Sequence, residues 1–178
     1  MDRKLNLGII GIGGMGTNHA NRIMDGKCPN IQLVAVADIN PDRITHMREK
    51  YGDSLRYFDN AEAMLDSGLI DSCLVAVPHY DHPKYAIACM KRGIHVMVEK
   101  PAGVYTKQVM EMNAEAEKHP DVVFGMMFNQ RTNHVYRKMK EIMDSGELGA
   151  LKRTSWIITN WYRSQCYYDS GDWRATWS

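Results

Sequence analysis

The sequence predicts a doubly wound α/β domain on a parallel sheet, and three observations carry that expectation. Apolar runs of strand length, such as "QLVAVA" and "CLVAV", are continuous rather than alternating, as strands covered on both faces require. Segments of helical periodicity separate these runs almost to the end of the chain. A glycine-rich stretch, "GIIGIGGMGTNHA", joins the first run to the first helical segment.

In order along the chain, Leu5–Ile10 is apolar enough for a first strand, and Met15–Met24 follows as a helix closed by Gly26. The second strand is Gln32–Ala37. The second helix, Pro41–Tyr51, has a proline in its first turn, where the missing N–H costs nothing, and Gly52 after its end. Arg56–Phe58 is a weaker strand. Ala61–Leu65 is a short helix before Gly68, and Leu74–Val77 is a strand. Pro83 opens the helix Lys84–Lys91, which Gly93 closes; His95–Val98, the helix Lys107–Lys118 and the strand Val122–Met127 complete the alternation.

After Phe128 the pattern changes. A helix over Asn133–Asp144 places Val135, Met139 and Ile142 on one face and ends at Gly146. "RTSWIITNWY" then alternates like a half-buried strand, with Trp156, Ile158 and Asn160 on one face and Ile157, Thr159 and Trp161 on the other. A lone strand leaves its backbone groups and apolar face without partners, so the expectation is a nucleotide-binding domain over 1–128 and an incomplete second domain over 129–178. All four tryptophans lie between Trp156 and Trp177, as packing or subunit contact or as a sugar-stacking surface.

Composition excludes several classes. The chain has 178 residues, 44% of them hydrophobic and 24% charged, close to globular averages. The formal net charge is +1, from 22 basic and 21 acidic residues, which gives no electrostatic reason for nucleic acid or an anionic membrane as partner. No apolar run reaches the about 18 residues of a membrane span. Cys28, Cys73, Cys89 and Cys166 form no C-x-x-C pair, and the N-terminus lacks a signal-peptide cleavage site, so a reduced cytoplasmic setting fits.

The glycine stretch contains G-x-G-x-x-G as Gly11, Gly13 and Gly16, with Gly14 and Met15 inside the same loop. In a nucleotide fold the first glycine makes the tight turn, the second admits the pyrophosphate and the third lets helix and strand pack closely. Asp38 ends the second strand 22 residues after Gly16. A carboxylate there accepts the adenosine ribose hydroxyls and repels a 2′-phosphate, which favours NAD over NADP; Arg43, close in sequence, tempers that preference. The bland alternative is that Asp38 only opens a turn and caps the helix at Pro41.

Two further strand ends carry unusual chemistry, "AVPHYDHPKYA" and "VMVEKPAG". With the glycine start, the P-x-x-x-H of Pro78 and His82, the E-K-P of Glu99, Lys100 and Pro101, and the stretches "FNQRTNHVYRKMKE" and "GDWR", the whole chain resembles the Gfo/Idh/MocA family of NAD(P)-dependent oxidoreductases, typified by glucose-fructose oxidoreductase and inositol dehydrogenase. The resemblance implies a Rossmann domain followed by an α+β domain with an open-faced antiparallel sheet that mediates homo-oligomer contacts. It implies that Lys100 points at the substrate hydroxyl beside the nicotinamide, that the Lys100–Pro101 peptide is cis, and that Glu99 lies near the nicotinamide ribose. Pro78, His79 and His82 would line the cofactor, although the family often has Asn in place of His79. Asn129, Gln130 and Arg131 would stand beside the active site, with Asn129 and Arg131 as substrate contacts. Complete members carry a further segment with an Asp and a His after the "DWR" stretch, so the chain is expected to be a truncated member.

Oxidation of a secondary alcohol needs a base for the hydroxyl proton while hydride leaves carbon. Lys100 is the candidate, because burial and a cationic nicotinamide would both disfavour its ammonium, with Glu99 opposing that effect if the two pair. The expected function is hydride transfer between a sugar or polyol and nicotinamide. The alternatives are an NAD-dependent glycosidase of the same fold, and a cofactor-binding regulator or inactive fragment. His79 and His82 lack a third ligand, so no metal is expected. The methionines of "FGMMFNQ" read as core strand.

Overall fold

In the computed structural model, which describes residues 3–159, 162–171 and 174, six strands form one sheet: β1 (Leu5–Ile10), β2 (Ile31–Ala37), β3 (Arg56–Phe58), β4 (Ser72–Val75), β5 (His95–Val98) and β6 (Phe124–Met126). Every neighbouring pair is parallel, in the order β3-β2-β1-β4-β5-β6. This is the doubly wound Rossmann order, and its direction reverses between β1 and β4, where such sheets open a ligand crevice. Helices α1 (Gly14–Met24), α2 (Pro41–Tyr51), α3 (Ala61–Leu65), α4 (His82–Met90) and α5 (Thr106–Lys118) connect the strands.

The continuous apolar runs are explained by two cores. Ile9 and Leu74 pack on one face with Ala20 of α1 and Met47 of α2. Ile10, Cys73 and Val75 pack on the other with Met64 of α3, Cys89 of α4 and Met112 of α5. Adjacent strand residues thus enter opposite cores, so neither can be polar. Cys73 and Cys89 are fully buried, and all four cysteines are free.

The starts of α2 and α3 follow the capping rules. Asn40 accepts from the Asp42 N–H at α2 and Asn60 from the Glu62 N–H at α3, each at 2.8–2.9 Å. The expected strand over Leu74–Val77 lies two residues earlier. Polar Asp71 and Ser72 disguise its start; the Asp71 N–H and the Ser72 hydroxyl both bond the Asn6 carbonyl. The chain leaves the sheet at Ala76, freeing the Val77 carbonyl for another partner. The last strand is also shorter than the expected Val122–Met127.

The chain divides into two units, Met1–Phe128 and Asn129–Ser178. The second holds a short turn at Asn129–Thr132 and helices α6 (His134–Asp144) and α7 (Gln165–Asp169). The expected strand at "RTSWIITNWY" is absent over residues 151–159, so the antiparallel sheet does not form among the described residues; Asn160 and Trp161 lie outside them. Ile157 is 83% exposed and Ile158 54%, so neither face of the alternation is covered. Alternation states what a strand would bury, but without a neighbour for its backbone the strand does not form. Trp156 instead packs on Tyr136 of α6, ring centroids 5.4 Å apart.

Candidate active site

The glycine loop closes on itself. Gly11 has φ +88°, and a Cβ there would meet the Ala76 carbonyl oxygen at 2.7 Å; a Cβ on Gly16 would stand 1.8 Å from the Gly11 carbonyl oxygen. Internal packing therefore demands both residues. Gly13 differs, because its Cβ would meet only the Arg43 guanidinium, at an ordinary 3.6 Å, and Gly14 faces open space. Among the described residues nothing requires Gly13 to stay bare, and the space beside it is open to a ligand such as a pyrophosphate. No side chain caps α1, so its first-turn N–H groups are available to an anion. Thr17 is a brace, its hydroxyl donating to the Ile12 carbonyl at 2.8 Å. Met15, in the first turn of α1, is half exposed, and a cavity of about 420 Å³ is lined by Gly13, Gly14, Arg43 and His46.

Asp38 ties this loop to β2. One carboxylate oxygen accepts the Ile12 N–H at 2.8 Å, the other accepts the Asn40 N–H at 2.9 Å, and Arg43 Nη1 stands 3.3 Å away. The cap of α2 is Asn40, not Asp38. The Asp38 side chain is only 3% exposed, with the Arg43 guanidinium against it.

At the end of β5 the Glu99 N–H donates to the Val75 carbonyl, which carries the parallel pairing one step past the strand. The Glu99 carboxylate, 7% exposed, contacts His19 Nε2 at 2.7 Å and accepts the Lys100 N–H at 3.2 Å. Burial pushes this carboxyl up. The hydrogen bond and charge of His19, the Lys100 amide and the Lys100 charge outweigh it and hold the group below the usual glutamate value. The Lys100–Pro101 peptide is cis, as the resemblance implied. Lys100 is exposed rather than buried as expected, and no hydrogen bond or ion pair among the described residues engages Nζ.

His82 departs from its expected role. Its side chain is buried, with Nδ1 2.6 Å from the Pro101 carbonyl oxygen and Nε2 2.9 Å from the Val77 carbonyl oxygen. Both partners only accept, so whichever nitrogen carries a proton donates, and both donate in the imidazolium form. The ring clamps the E-K-P turn to the end of β4 and has no nitrogen left for a cofactor. Pro78 precedes the turn His79–Asp81, and the His79 ring lies 5.7 Å from that of His82. Among the described residues no group of three His, Cys, Asp or Glu side chains could hold a metal ion.

The structure thus gathers Gly11, Gly13, Gly14, Met15, Gly16, Asp38, Pro78, His79, His82, Glu99, Lys100 and Pro101 at the carboxyl edge of the sheet. Asn129, Gln130 and Arg131 form the exposed turn that opens the second unit. Sequence reasoning missed His19. A signal existed: Gly16 and Ala20 are buried on α1, and His19 is placed at i+3 from Gly16 on that side.

A profile of an oxidoreductase family with an NAD-binding Rossmann fold, Gfo/Idh/MocA, matches residues 5–126. Myo-inositol 2-dehydrogenase of Thermotoga maritima is 33% identical over 145 residues, which is 82% of this chain and 42% of the relative. The crystal structure of myo-inositol 2-dehydrogenase from Lactobacillus plantarum superposes with a TM-score of 0.76 at 30% identity, over 83% of this chain and 43% of that one. The WlbA dehydrogenase of Chromobacterium violaceum, solved with NADH and UDP-GlcNAcA, gives 0.84 at 26% identity, over 99% of this chain and 50% of that one. The chain spans less than half the length of the curated relative it matches.

Proposed function

Because the chain belongs to the Gfo/Idh/MocA oxidoreductase family, with its NAD-binding Rossmann fold, we propose that it serves hydride transfer between a sugar or polyol hydroxyl and nicotinamide. The observation that carries this reading is the meeting of the bare Gly13 loop, the Asp38 carboxylate and the unpaired Lys100 ammonium at one sheet edge. The names of the inositol dehydrogenases to which the chain is similar support the substrate class.

NAD, when bound, supplies the hydride acceptor. The chain supplies the rest. The N-terminus of α1 offsets the pyrophosphate charge through its free N–H groups. Asp38 takes the adenosine ribose hydroxyls through lone pairs that its two amide bonds leave open. Lys100, on a turn fixed by Glu99 and His82, holds the substrate hydroxyl and, as the neutral amine, takes its proton and hands it to solvent as hydride leaves carbon. In the same reading 1–128 is the nucleotide-binding domain and 129–178 belongs to the substrate and oligomer domain, with Asn129 and Arg131 as substrate contacts by resemblance. A cytoplasmic homo-oligomer completes it; the free buried Cys73 and Cys89 suit a reducing compartment.

Calorimetric titration with NAD tests the cofactor assignment on this chain, and NADH absorbance with myo-inositol tests the reaction. NADH formation supports the dehydrogenase. Release of an aglycone from a glycoside without net NADH would replace it with the glycosidase reading, and NAD binding with neither would leave a cofactor-binding protein.

A further inference from the structure

Glu99 and Lys100 are adjacent and opposite in charge, yet they do not pair side chain to side chain. Glu99 gives one carboxylate oxygen to His19 Nε2 at 2.7 Å and the other to the Lys100 backbone N–H at 3.2 Å. The side chains of His19 and Glu99 are 19% and 7% exposed, so their contact is shielded from water and stronger than a pair at the surface. His19 is carried by α1, which Ala20 anchors in the core and whose first turn is fixed by the Gly16–Gly11 contact. Among the described residues, His19 and Lys100 are the neighbours whose hydrogen bonds and charge hold the Glu99 carboxyl down. Held between the His19 ring and the Lys100 amide, the carboxylate is oriented so that it makes no bond to Lys100 Nζ.

We propose that His19 is a positioning residue: by holding Glu99 it keeps that carboxylate from pairing with Lys100 and leaves the Lys100 side chain free for a substrate hydroxyl. The proposal deepens the dehydrogenase reading and rests on it for the identity of what Lys100 meets. The physical cause is the cost of an unsatisfied buried acceptor. With His19 removed, the freed carboxylate oxygen has Lys100 as its remaining cationic neighbour, and turning to it restores a charge-assisted bond.

The test needs no cofactor. The native chain is pulse-acetylated with a succinimidyl ester at fixed pH, and the Lys100 rate is read by peptide mass spectrometry against exposed Lys138 as reference. Only the unprotonated amine reacts, and a carboxylate close by favours the ammonium. H19L is expected to slow Lys100 labelling by roughly three- to tenfold. H19Q, which keeps an N–H donor at about the same reach, retains the wild-type rate, and E99Q added to H19L restores it. H19N, an amide too short to reach Glu99, behaves as H19L and serves if the leucine variant does not fold. Wild-type labelling in both H19L and H19N, or no recovery on adding E99Q, overturns the proposal, because loosening of the helix alone would not be reversed at Glu99. NAD titration of the same samples reads the dehydrogenase assignment separately: labelling as expected without NAD binding keeps the His19–Glu99 role and removes the function it serves.

Discussion

The Gly16 Cα lies directly against the Gly11 carbonyl, so close that a methyl group would stand 1.8 Å from that oxygen. Both atoms belong to backbone that has nowhere to move. G16A is expected to cost about 2 kcal/mol or more, read as a lowered urea midpoint with an unchanged slope. G13A should leave the unfolding free energy within about 0.5 kcal/mol of wild type, since its Cβ meets nothing closer than 3.6 Å, while NAD affinity falls. Equal destabilisation by the two would contradict the distinction drawn between them.

Asp38 is expected to matter twice. D38A leaves the Ile12 and Asn40 N–H groups without their acceptor and Arg43 without its partner, a loss of about 1–3 kcal/mol measured in urea. It should also weaken NAD more than D38N does, because the amide keeps one oxygen for an N–H or a ribose hydroxyl. Calorimetry on the two variants separates scaffold from ligand contact.

Glu99 gives the chain a defined acid sensitivity. Its carboxyl is held below the ordinary value of 4.5 in the folded state, so its contribution is fully present above pH 4.5 and is lost as pH falls through the lower folded value. Asp66 and Asp71, held down mainly by hydrogen bonds from Arg92 and Arg3, act with the same sign. The difference between wild type and E99Q isolates the Glu99 share. Thermal melts should show the wild-type advantage shrinking on acidification below pH 4.5; an advantage that grows would reverse the assigned sign.

Lys100→Met is expected to fold and bind NAD like wild type, since no partner engages Nζ among the described residues, and to lower hydride transfer about a hundredfold or more where the wild type turns over. Unchanged turnover would remove Lys100 from the chemistry.

What sequence could convey depended on range. The strands β1, β3 and β5 and the helices α2 and α3 were legible to the residue, because continuous apolar runs and Asn, Pro and Gly boundaries are local signals. The start of β4 was not, since Ser72 is polar and buried by a bond to a distant carbonyl. The site divides the same way. Strand ends showed which residues reach the sheet edge, but not how they pair. His19 meets Glu99 across 80 positions, and His82 joins Val77 to Pro101, contacts that no spacing rule contains. The tail failed for a third reason: its alternation was real, but strand formation is a property of two segments and not of one.

The clamp around the E-K-P turn is also complete within one unit. His19, Val75, Val77 and His82, which fix the turn, all come from Met1–Phe128, the unit that also carries the glycine loop. The backbone that presents Lys100 is thus set by residues that all precede Asn129. Exchange of the segment after Phe128 is therefore expected to leave the His19–Glu99 and His82–Pro101 contacts as they are.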